Sequence, residues 1–81
     1  MSLERAAMRG RLAELEQTRN RLKLKIEGNA TAIRTGLNTA LYPVEGLEVP
    51  QLDEQWDTLK VAWGELLVVI GDIERLRKEL R

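Results

Sequence analysis

Both prolines of this 81-residue chain lie in one ten-residue segment, LYPVEGLEVP, residues 41–50, and no proline interrupts the chain on either side of it. Proline cannot donate a helical hydrogen bond and pushes the residue before it toward extended geometry. Pro43 and Pro50 therefore divide the chain into two long stretches free to be helical, and Gly46 between them permits a turn. A ten-residue link can reverse direction. The architecture expected is all-α: an antiparallel, coiled-coil-like two-helix hairpin occupying residues 1–81 as one domain, with helices over about 2–39 and about 51–80 and a corner over 40–50.

The apolar spacing on each side agrees with this division. In the first stretch Met8, Leu12, Leu15, Leu22, Ile26, Ile33 and Ala40 follow alternating steps of four and three, if Arg19, Asn29 and Gly36 are accepted as irregular members of the stripe. Ser2 can cap the start, and the helix is either continuous or loosens between Gly28 and Gly36. In the second stretch Leu52, Leu59, Leu66, Ile73 and Leu80 form one column, and Trp56, Trp63, Ile70 and Arg77 form the neighbouring column. Asp53, Glu54 and Asp57 then stand near the positive end of the second helix dipole, and Arg75, Arg77, Lys78 and Arg81 near its negative end. In the folded hairpin Trp56 and Trp63 are expected against the 29–36 half of the first helix, where Gly28, Ala30, Ala32 and Gly36 leave room for two indoles.

The run LLVVI, residues 66–70, carries more apolar surface than one helix contact can cover. Leu66, Ile70 and Ile73 are assigned to the hairpin contact, leaving Leu67, Val68, Val69 and Leu76 as an expected interface with a second copy. The solution anticipated is a homodimer forming a four-helix bundle. A chain of this size buries only about 60% of the surface its unfolded form exposes. It contains neither cysteine nor histidine, so disulfides, thiolate metal sites and imidazole chemistry are excluded as supports.

Charge is balanced overall but unevenly placed. Residues 1–40 hold eight Arg or Lys against four Glu, and residues 41–81 hold five basic against nine acidic side chains. Opposed halves favour folding back and self-association. No apolar run approaches the roughly 20 residues of a membrane span, and no apolar leader follows the first residues, so a cytoplasmic protein without a membrane partner is expected.

Little of the chain suggests catalysis: it has no glycine-rich phosphate loop or metal-ligand set, and no cofactor is expected. Glu14, Glu16 and Glu27, or Asp53, Asp57 and Glu65, read as solvated helix faces. Arg19 and Arg77 interrupt the apolar columns and are expected near the open end of the hairpin, either snorkelling to solvent or contacting an acidic partner. Asn29 is a candidate for fixing register through a buried amide hydrogen bond. The apolar residues of the corner, Leu41, Tyr42, Val44, Leu47 and Val49, either fold over the hairpin's end or leave Tyr42 and Leu47 as a recognition loop. Nucleic acid is the least favoured partner. Arg5, Arg9, Lys23 and Arg34 could line phosphates only if two copies aligned them, without aromatic residues interleaved among the charges.

The length, the Arg/Glu-rich SLERAAMRGRLAELEQTRNRLKLKIEG, and the LYPVEGLEVP corner before a tryptophan-bearing helix together resemble the small helical-hairpin proteins of early or accessory regions of temperate bacterial phages. That resemblance implies a non-catalytic inhibitor or adaptor that dimerises and occupies a host protein sterically. A structural coiled-coil component and a DNA-binding accessory protein are the alternatives.

Overall fold

A computed structural model describes residues 2–81 as a helical hairpin. Helix α1 spans Leu3–Gly36 and helix α2 spans Val49–Glu79, joined by a segment containing one turn of 3-10 helix at Val44–Gly46. The pair forms a rod measuring 63 × 16 × 15 Å. Among the described residues no helix is long and apolar enough to cross a membrane.

The start of α1 follows the expected chemistry: Ser2 Oγ accepts the Arg5 backbone N–H at 3.1 Å. α1 continues through Gly28 without interruption and stops at Gly36, so Ala40 lies outside the helix and its place in the stripe is corrected. Asn38 turns the chain, its side-chain oxygen accepting from Ala40 N–H at 3.0 Å and its carbonyl from Leu41 and Tyr42 N–H. α2 begins earlier than proline placement suggests. Pro50 sits within its first turn, where a missing N–H costs nothing, and α2 therefore includes Val49. Asp53, Glu54 and Asp57 consequently fall beyond the first turn, whereas Arg77 and Lys78 do occupy the last.

Contacts near the two ends set the antiparallel register. Near the corner Gly36 lies under Leu52, so closely that a Cβ at residue 36 would meet Leu52 Cδ2 at 2.5 Å. At the open end Arg5 Nη2 donates to the Leu80 carbonyl at 2.7 Å. Between them the seam of α1 follows the spacing read from the sequence, with Leu15 and Leu22 buried and Met8, Leu12, Arg19, Ile26, Asn29 and Ile33 half-buried.

The seam of α2 differs. Its second column is Gln55, Ala62, Val69 and Leu76, one residue before the column expected. Ala62 is 2% exposed, while Trp56 and Trp63 are 48% and 54% exposed. Both indoles therefore lie outside the hairpin's core. Helices joined by such a seam pack with axes about 8–10 Å apart, and that gap takes a methyl group more readily than an indole. A Cβ added at Gly28 would meet nothing within 4 Å, so this glycine makes no room for either ring.

Candidate functional site

One flank of the rod collects the side chains that the core rejects. Arg77 Nη2 donates to Glu16 Oε1 at 3.3 Å across the helices. Residues seven apart share a helix column, so this pair joins the column of Trp56, Trp63 and Ile70 to that of Arg9, Lys23, Ala30 and Leu37 along one side of the seam. Trp56 and Trp63 lie about 10 Å apart along the axis at 1.5 Å per residue. With Leu59 and Lys60 they line a shallow depression of about 310 Å³. Lys60 Nζ also pairs with Asp57 Oδ1 of the same helix at 3.0 Å. Leu67, 49% exposed, extends this apolar surface, and half-buried Ile70 adjoins it.

The opposite flank has another character. Near the corner it carries a cleft of about 410 Å³ lined by Thr35, Tyr42, Glu48, Gln51 and Gln55 together with Ala32, Gly36, Gly46 and Leu52. Further along, Lys25, Glu65 and Asp72 take the positions flanking the seam. Asp72 pairs within its own helix with Arg75. This flank is polar along its length.

The residues singled out in the sequence are scattered over these surfaces. Leu67 and Val68 are exposed, but Val69 and Leu76 are half-buried in the hairpin's own seam and are already used within one chain. Val68 and Val61 face away from the tryptophan flank, because residues at those columns lie on the other side of the outward face. Arg19 stands half way along α1, so it does not share the open end with Arg77. Its Nε is buried without a hydrogen-bond partner. Arg77 is exposed and held by Glu16, outside the seam.

At the corner Tyr42 is 44% exposed and Leu47 half-buried, while Leu41, Val44 and Val49 are exposed and do not cover the hairpin's end. Asn29 donates to the Lys25 carbonyl of its own helix at 2.9 Å, so this amide bond does not set the interhelical register. Of the basic residues considered for phosphate, Arg5 is committed to the Leu80 carbonyl, and Glu16 and Glu27 interrupt the remainder. Among the described residues no group of three or more His, Cys, Asp or Glu is arranged to hold a metal ion.

Helical spacing places Leu59 and Lys60, each three or four residues from both indoles, beside the tryptophans, but it does not reveal that Ala30 and Leu37 of the other column share their flank. The signal available is the size of the indoles: two such rings at one column of a tight two-helix seam have nowhere to go but its flank. Comparison with known proteins finds no matching family model, no matching curated protein and no matching solved structure.

Proposed function

We propose that this chain works by binding protein, without catalysis, and that Trp56 and Trp63 are the centre of the binding surface. The observation carrying this reading is that both indoles, with Leu67, stand about half exposed on one flank. Tryptophan is among the side chains most enriched at the hot spots of protein interfaces, and contiguous exposed apolar surface marks association sites.

The first occupant of the flank is a second copy, giving a homodimeric four-helix bundle. Surface area supports this. The chain exposes 6173 Å², whereas a compact monomer of this mass exposes about 5,000 Å² by size scaling. The excess follows from the elongated 63 × 16 × 15 Å shape, which leaves room along one flank for the roughly 800 Å² per partner of a standard interface. In the dimer the Tyr42 to Leu47 corner stays outside and serves the contact with a different protein, consistent with an inhibitor or adaptor. The 63 Å rod also supports a second reading, a spacer in a larger assembly.

Light scattering of purified protein tests the surface. The wild type is expected at twice 9.3 kDa, and Trp56→Glu combined with Trp63→Glu at the monomer mass with its helicity largely kept. A wild type that stays monomeric at high concentration rejects the dimer. A variant that stays dimeric places the interface elsewhere.

A further inference from the structure

The flank is graded from end to end. From the open end toward the corner, the flank column of α1 reads Arg9, Glu16, Lys23 and Ala30, continued by Leu37 at the helix's C-cap. Over the same direction the flank column of α2 reads Arg77, Ile70, Trp63, Trp56. Both columns are charged at the open end and apolar at the corner. The helices also differ in charge as wholes, with eight basic and four acidic side chains in α1 and four basic and seven acidic in α2.

Two hairpins stacked through this flank by a two-fold axis have two simple arrangements. If the axis runs along the rod, both corners lie at one end and each α1 lies over the partner copy's α2. If the axis crosses the rod, the corners lie at opposite ends, with α1 over α1 and α2 over α2.

We propose that the second copy docks with both corners at the same end. This inference rests on the tryptophan flank being the self-association surface. Corners together match apolar half with apolar half, so each pair of indoles covers the Ala30 to Leu37 part of the other copy, where the small side chain of Ala30 leaves space. Opposed corners would instead lay Ala30 and Leu37 against the charged half of the column, desolvating charge against apolar side chains at a cost that no contact there offsets. Corners together also keep the net-basic helix beside the net-acidic one, a long-range attraction between whole helices and not between the facing columns, whose only α2 charge is Arg77; opposed corners set like beside like. Facing helices run antiparallel in either arrangement, so helix dipoles leave the choice to these two terms. The consequence is a rod with both Tyr42 corners presented side by side at one tip.

The chain has no cysteine, so a single introduced thiol can be spin-labelled cleanly. Val44→Cys is suitable, because Val44 is 70% exposed on the corner turn. Electron–electron double resonance on the labelled dimer should give a label separation within about 25 Å, since adjacent helices lie about 10 Å apart. Leu3→Cys, at the other end and 90% exposed, should give a similarly short distance. A separation near the 63 Å rod length for Val44→Cys overturns the orientation while keeping the dimer. Absence of any dipolar coupling, with monomer mass in light scattering, removes the dimer itself.

Discussion

Ala62 and Trp63 are neighbours in the chain and opposites in the fold: the methyl group is 2% exposed and the indole 54%. The same contrast holds between the seam column of Gln55, Ala62, Val69 and Leu76 and the flank column of Trp56, Trp63, Ile70 and Arg77. Transfer free energy alone would bury the tryptophans first, because burying apolar area stabilises by roughly 25 cal/mol per Å². Geometry decides otherwise. The column that lets the helices approach takes the seam, and the larger side chains collect beside it, where another molecule can cover them.

The largest effect expected from exchanging these roles is at Ala62. Ala62→Trp inserts an indole where α1 and α2 touch, and should destabilise the hairpin by about 3 kcal/mol or more, the upper range for overpacking a close contact. Thermal unfolding followed by circular dichroism measures it. A variant as stable as the wild type would mean the seam tolerates bulk and that size did not choose the column.

Trp63→Ala should act differently. It removes a side chain that the single hairpin leaves half exposed, so monomer helicity should survive while association weakens. The melting temperature of a dimer rises with protein concentration. That dependence is expected to flatten in Trp63→Ala and to persist in Val68→Asp, which alters an exposed residue away from the tryptophan flank. Equal flattening in both variants would erase the distinction between the two outward surfaces.

The contrast between the two columns also separates what is legible in the sequence from what is not. The hairpin, the capping Ser2, the corner around Pro43 and the seam of α1 follow from helical periodicity and proline chemistry, which act locally. The seam of α2 does not. From Leu52 to Leu59, a step of three then four selects Gln55, and a step of four then three selects Trp56. Periodicity admits both, and the more hydrophobic choice is the wrong one. What separates them is interaxial distance, a property of two helices together. For the same reason Val69 and Leu76 read as available for a second copy although they are spent within the first. The start of α2 is obscured by a rule that has an exception: proline is excluded from helix interiors but suits the first turn.

Arg19 offers a smaller test of the seam. It occupies a seam position between Leu15 and Leu22, with Nε buried and no hydrogen-bond partner. Leaving such a group unsatisfied costs about 1–3 kcal/mol. The half-exposed side chain recovers part of that cost by reaching water. Arg19→Leu should therefore stabilise the hairpin by about 1 kcal/mol, and in a domain of this size each kcal/mol raises the melting temperature by about 4–8 °C. A lower melting temperature would show that the guanidinium makes a stabilising contact, which would then belong to the assembled form.

The smallest effect belongs to the ion pair that ties the two flank columns together. Arg77 and Glu16 meet at 3.3 Å, with side chains 52% and 37% exposed. At that exposure solvent screens the attraction, and exposed pairs contribute about 0–1 kcal/mol. Arg77→Ala alone should cost the isolated hairpin less than about 0.5 kcal/mol, because the register is also held by the Gly36–Leu52 packing and by Arg5 on the Leu80 carbonyl. A double-mutant cycle with Glu16→Ala, read from urea unfolding at low and high salt, isolates the pair. A coupling well above 1 kcal/mol that persists in high salt would mean the pair is dry, and hence covered by a second molecule on the tryptophan flank.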